Sequence, residues 1–268
     1  MTSAQTTGTG GTGTAQRLEG TVALVTGASS GIGEATAEAL AAQGAAVALV
    51  ARRRDRLEAL AGRIGDAGGR AHVVEADVSQ RSDAARAVQE TVDGLGRLDT
   101  VINNAGVMLL GPVVDAPVEE WEQMINLNVL GLMYVTDAAL PHLLKAAGDD
   151  PRQVADLVQI SSVAGRLARN GSGVYNASKH AVGAFSESLR QEVTKRHVRV
   201  ALVEPGAVDT ELASHNTDPE VKANLQKRFG ETERLTAEDI AELITFMVTR
   251  PRRMALNEIL VRPTEQVD

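Results

Sequence analysis

From Gly20 onward, seven short apolar runs alternate with longer stretches whose apolar residues recur at helical spacing. The short runs are Val22–Val25, Ala46–Val50, Ala71–Val74, Thr100–Ile102, Leu157–Ile160, Val198–Val203 and Ile259–Val261. Between them lie Glu34–Gln43, Arg54–Gly65, Asp83–Leu95, Val118–Ala147 and Val174–Arg196, with Gly44 standing where the first helix needs its C-terminal cap. Strands that are apolar at nearly every position are buried on both faces, and strands separated by helices pair in parallel. The pattern therefore predicts an α/β fold of the Rossmann type, a doubly wound parallel sheet of seven strands in a single domain. At 268 residues the chain can bury one large core, and no repeat or linker divides it. The domain is expected over residues 18–268, preceded by a Gly/Thr-rich tail, residues 1–17, that has too little apolar content to order itself. This tail lacks the charged start and apolar centre of a secretory signal.

The run Thr26-Gly27-Ala28-Ser29-Ser30-Gly31-Ile32-Gly33 follows the first expected strand and opens the first helix. Glycines there permit a tight turn and let backbone N–H groups approach a pyrophosphate, while the positive end of the helix faces the same anion. Three glycines could merely make a turn. The strand before and the helix after supply the context that a dinucleotide site requires.

In such folds a carboxylate at the end of the second strand holds the ribose 2′-hydroxyl of NAD, whereas an arginine accommodates the 2′-phosphate of NADP. Here the strand runs into Ala51-Arg52-Arg53-Arg54, with alanine at the carboxylate position. Guanidinium forks suit a phosphate dianion, and cations at a helix start are otherwise unfavourable. Arg52 and Arg53 are therefore read as ligands of NADP(H), and Arg54 and Arg56 as decoration of the helix start.

Tyr175 and Lys179 stand four apart on one face of an expected helix, close to Ser161-Ser162 at the end of a strand. A phenol titrates near ~10, and a neighbouring ammonium is expected to lower that value toward a range useful for proton transfer.

Other chemistries are excluded by composition. Cysteine is absent, so neither disulfides nor thiolate catalysis apply. The net charge of -8 offers no basic face to nucleic acid. No apolar run is expected to reach the ~18 residues of a membrane span. The five histidines, His72, His142, His180, His197 and His215, lack metal-ligand spacing, so no metal is expected. A soluble cytoplasmic protein follows as the expectation.

Taken together, Thr26–Gly33, Asp77-Val78, Asn103-Asn104-Ala105-Gly106, Asn128, Ser162, Tyr175-x-x-x-Lys179 and Pro205-Gly206 resemble the short-chain dehydrogenase/reductase superfamily across Leu18–Pro263. The resemblance implies an oxidoreductase that moves a hydride between NADP(H) and a small carbonyl or alcohol: an aldehyde, a ketone or a hydroxy acid. It assigns Tyr175 as general acid or base, and Lys179 to the phenol and the nicotinamide ribose. Ser162 would bond the substrate oxygen, and Asn128 would interrupt its helix and carry a relay water. Gly27, Ser29, Ser30, Gly31, Ile32 and Gly33 would hold the pyrophosphate, and Asp77 and Val78 would flank the adenine. Asn104, Ala105 and Gly106 would line the cleft, with Pro205, Gly206, Val208 and Thr210 at the nicotinamide end. Asn103 and Ser161 read as structural, and Asp77 also reads as a cap for the turn at Ser79. The resemblance further implies a homotetramer, with a dimer as the alternative, built on the long helices and the last strand.

Within the superfamily, Gly106–Pro112, Gly131–Tyr134 and Asn257–Thr264 resemble the clavulanate-dehydrogenase and 3-hydroxy-acid-dehydrogenase group. An acyl-carrier-protein or polyketide ketoreductase is the rival enzyme, against which Arg262-Pro263-Thr264 stands in place of a Gly-Gly ending. A non-catalytic cofactor sensor is the rival from another class, and the retained Ser162, Tyr175, Lys179 and Asn128 oppose it. Substrate walls are expected from Met108, Val163, Ala164, Arg166, Leu167, Arg169, Asn170, Ala207, Glu211 and Leu212, with Arg166 or Arg169 as candidate grips for a carboxylate. The polar stretch 209–233 suits a lid.

Overall fold

A computed structural model describes residues 17–114, 116–149, 151–230 and 233–267. The expected tail, apart from residue 17, lies outside the described residues, as do two residues of the expected lid, 231 and 232. The strands are β1 (Val22–Thr26), β2 (Ala46–Ala51), β3 (Arg70–Glu75), β4 (Thr100–Asn103), β5 (Ala155–Ile160), β6 (Val198–Pro205) and β7 (Glu258–Val261). All seven pair in parallel in the order β3-β2-β1-β4-β5-β6-β7, as the apolar runs predicted.

Strand β1 shows why its first four positions are apolar. Successive side chains point to opposite faces. Ala23 and Val25 join the core formed with α1 (Gly31–Ala42), α2 (Arg54–Asp66) and α8 (Ala237–Val248), while Val22 and Leu24 join the core on the other face. That second core is closed by α3 (Arg81–Leu95), α5 (Leu132–Ala146) and α6 (Gly173–Val193). Gly44 has a φ of +91°, a conformation open to glycine, and turns the chain from α1 into β2.

The long helix expected over Val118–Ala147 is interrupted. It runs as α4 (Val118–Ile125), a π-helical turn over Asn126–Gly131, and α5. By length and composition the 29-residue run Val118–Ala146 could cross a membrane, contrary to the expectation that none would reach that limit. In the fold it buries Met124, Asn128, Val135, Ala139 and Leu143 within the protein. Two helices had no counterpart in the sequence reading: α7 (Pro219–Gly230) and α8.

The order of strands reverses between β1 and β4. The loops leaving these two strands diverge to opposite faces of the sheet, and a crevice opens at their carboxyl ends.

Candidate active site

Thr26, the last residue of β1, fixes the floor of that crevice. Its hydroxyl accepts hydrogen bonds from the backbone N–H groups of Asn104 and Ala105, both at 3.0 Å. The Asn104 amide in turn donates to the Thr26 carbonyl at 3.0 Å. Above this floor the chain turns at Gly27, whose φ is +66°. A Cβ on Gly33 would collide with the Gly27 carbonyl and the Asn104 side chain, so only glycine lets α1 start this close to the turn. Ser30 precedes α1 in an extended conformation, and no side chain caps the helix start. The Ser30 side chain thus leaves the first amides of α1 unbonded, the arrangement that suits an anion.

The resulting cleft has a volume of about 330 Å³. Of the residues expected to meet cofactor or substrate oxygen, all but Gly33 and Asn128 line it. Gly33 lies beneath the turn it permits. Asn128 lies behind the wall, where its amide accepts from Val107 N–H at 2.8 Å and donates to the Val107 carbonyl at 2.9 Å and to Ser178 Oγ at 3.2 Å. It sits in the π-helical turn, as the resemblance implied. Its side chain is held by Val107 and Ser178.

At one end of the cleft, Ala51 closes β2 and the arginines follow. Arg53 donates from Nε and Nη2 to Ser29 Oγ at 3.1 and 2.9 Å, and from Nη2 to Ser30 Oγ at 2.7 Å. Its remaining nitrogen, Nη1, pairs with Glu211 at 2.9 Å. Arg52 is exposed at the same rim. Arg54 pairs with Glu58 along its own helix, as decoration would. Arg56 departs from that reading, because it reaches Glu211 at 2.8 Å across the cleft mouth. Asp77 lines the cleft, and its Oδ1 accepts from the N–H and hydroxyl of Ser79 at 3.1 and 2.7 Å, as a cap for that turn would.

At the other end, α6 presents Tyr175 and Lys179 on successive turns. Lys179 Nζ donates to the Ile160 carbonyl at 2.9 Å and lies 5.8 Å from the centre of the Tyr175 ring. Ser162 accepts from Ala164 N–H at 3.1 Å and bonds the Tyr175 phenol. Burial pushes that phenol up to about 12, against the pull of Ser162. Burial likewise brings the Lys179 ammonium down to about 8. The sequence reading had Lys179 lowering the phenol. Instead, with both groups buried and the ammonium directed at a carbonyl, lost hydration decides the direction for each.

Ser161 and Asn103 prove structural in their bonding. The first donates to the Lys179 carbonyl at 3.2 Å, and the second to Gln159 and Thr136 at 2.9 and 3.0 Å. Beyond Pro205, the Gln266 side chain accepts from Ala207 N–H at 2.9 Å and closes on Gly206. Of the expected substrate walls, Met108, Ala207, Glu211 and Leu212 line the cleft, whereas the expected residues of 163–170 do not. Arg166 in particular turns away and binds Glu204 at 2.8 Å and Glu258 at 2.5 Å, so it is no grip for a substrate carboxylate. His215, set aside among the scattered histidines, lines the cleft, and burial lowers its pKa.

A sequence model of the family described as short chain dehydrogenase matches residues 21–221. An uncharacterized oxidoreductase of Staphylococcus epidermidis is 36% identical over 242 residues, covering 90% of this chain and 96% of its own length. Among solved structures, the closed form of a serine dehydrogenase complexed with NADP+ superposes with a TM-score of 0.84 at 31% identity, covering 92% of this chain and 96% of that one. A short-chain dehydrogenase/reductase from Burkholderia phymatum in complex with NAD superposes with a TM-score of 0.81 at 26% identity, covering 91% and 89%.

Proposed function

The chain belongs to the short-chain dehydrogenase/reductase family, and on that premise we propose that it is an NADP(H)-dependent oxidoreductase for a small aldehyde, ketone or hydroxy acid, with Tyr175 as its general acid and base. The observation that carries this reading is the meeting of Ser162, Tyr175 and Lys179 at one end of a cleft whose other end holds the glycine turn and Arg52-Arg53.

The nicotinamide ring, when bound, supplies or accepts the hydride. In reduction, Tyr175 gives its hydroxyl proton to the substrate oxygen as the carbonyl becomes an alcohol. Burial keeps the phenol protonated at neutral pH, so the acid form stands ready. Ser162, bonded to the same phenol, holds the substrate oxygen in line. Lys179, whose ammonium is directed at the Ile160 carbonyl, would serve the nicotinamide ribose. In oxidation the roles reverse, and Tyr175 must first lose its proton.

The preference for NADP(H) rests on Ala51, which offers no carboxylate to a ribose, and on the arginines that follow. The relatives bind either nucleotide, so the choice is argued from this chain's own residues. We also propose a homotetramer in the cytoplasm. Oxidation of NADPH and of NADH with a panel of aldehydes, ketones and keto acids tests the reading. Turnover with NADPH supports it, and turnover confined to NADH refutes the cofactor assignment.

A further inference from the structure

The segment Glu211–His215 forms a short strap across the cleft mouth and is pinned at both ends. At its far end Asn216, only 1% exposed, accepts from Leu110 N–H at 2.6 Å and donates to the Ala213 carbonyl at 2.8 Å. At its near end Glu211 pairs with Arg53 at 2.9 Å and with Arg56 at 2.8 Å. Arg53 is the same residue that holds Ser29 and Ser30 of the phosphate turn. The strap therefore places its own carboxylate on a guanidinium that the cofactor reading assigns to a phosphate.

We infer that Glu211 is a specificity-determining residue: a resident anion that the 2′-phosphate of NADP(H) displaces from Arg53, so that the phosphorylated cofactor alone removes one of the two pins at this end of the strap and leaves the pair with Arg56. The inference rests on the NADP(H) reading and deepens it. Three observations support the exchange. The carboxyl is held at about 2 by Arg53 and Arg56, so it is an anion at every working pH. Arg53 and Glu211 are 38% and 45% exposed, and an ion pair so exposed is weak enough for a dianion to replace. Asn216 is buried and bonded to Leu110, and Arg56 keeps its own pair with Glu211, so the strap stays anchored when the Arg53 pair is lost.

A cofactor without the phosphate leaves Glu211 in place. The carboxylate thus competes with NADP(H) and is indifferent to NAD(H), and it couples the strap to the nucleotide end of the cleft.

Calorimetric titration of the full chain with 2′-AMP, 5′-AMP, NADPH and NADH tests this on the parent and on Glu211→Gln. The variant should bind 2′-AMP and NADPH about three- to tenfold more tightly, with 5′-AMP and NADH unchanged. In the parent, 2′-AMP should speed hydrogen exchange at residues 211–215, and 5′-AMP should not. Unchanged or weaker NADPH binding by Glu211→Gln, an equal gain for NADH, or slower exchange on adding 2′-AMP would overturn the inference. A parent that binds 2′-AMP no better than 5′-AMP is a separate result, which removes the NADP(H) reading and the inference with it.

Discussion

Lys179 Nζ donates to the carbonyl of Ile160 at 2.9 Å, a bond that ties the reactive turn of α6 to the end of β5. It holds a buried ammonium whose pKa falls from 10.5 to about 8. Below pH 8 both folded and unfolded chains carry the proton, and the folded state bears the full cost of burying it. Between 8 and 10.5 the folded chain gives the proton up while the unfolded chain keeps it, so stability rises with pH in that window. The cost is on the order of 3 kcal/mol, partly offset by the bond to Ile160. Lys179→Met should therefore raise stability by ~1–2 kcal/mol at pH 7 and lose that gain by pH 10.5, while turnover collapses. Urea unfolding across that range is the measurement; a gain that does not change with pH would contradict it.

Tyr175→Phe should bind nucleotide as the parent does and lose about 10²–10⁴-fold in turnover. Because the phenol stays protonated up to about 12, reduction should vary little through neutral pH, while alcohol oxidation should climb through the alkaline range. Steady-state rates in both directions check this. A variant with more than about a tenth of parental turnover would remove Tyr175 from proton transfer.

Ala51→Asp combined with Arg52→Ser should move preference from NADPH toward NADH. The new carboxylate would bond the ribose and repel the 2′-phosphate, and each charge-assisted hydrogen bond lost is worth roughly ten- to a hundredfold. The ratio of kcat/KM with NADPH to that with NADH reports the change. A parent that already favours NADH would remove Arg52 and Arg53 from phosphate binding.

Arg166→Ala should destabilise the protein by ~1–2 kcal/mol at neutral pH, because it leaves the Glu204 carboxylate, 1% exposed, without its cation. Burial already raises the pKa of Glu204, and Arg166 opposes that rise. A carboxyl raised in the folded state costs stability as pH rises through its titration, so the deficit should shrink on acidification. Thermal unfolding at several pH values tests this. Unaltered KM values would accompany it, since Arg166 does not line the cleft.

The seven strands were legible because the inner parallel strands are buried on both faces, so each carries a short apolar run even where Asp156, Gln159, Arg199 or Glu204 interrupts the strand. The missed α8 carried a signal of its own. Thr236 and Asp239 form a capping box, and Ile240, Ile244, Met247 and Val248 follow at helical spacing. The glycine turn and the Tyr175–Lys179 pair are local in sequence, and they appear in the structure at the expected places. The Glu211 pairs with Arg53 and Arg56 span 158 and 155 residues, and only the path of the strap reveals them. The direction of the Tyr175 shift was misread for a related reason. Spacing shows which residues are neighbours, but not how much water the fold removes from them.

The Gln266 side chain, two residues from the end of the sequence, accepts from the Ala207 amide just past Pro205-Gly206. Gln266 thus braces the backbone of Ala207, a residue that lines the cleft. Gln266→Ala would remove the acceptor from Ala207 N–H and slacken the turn that follows β6, without touching any residue that lines the cleft other than Gly206 and Ala207.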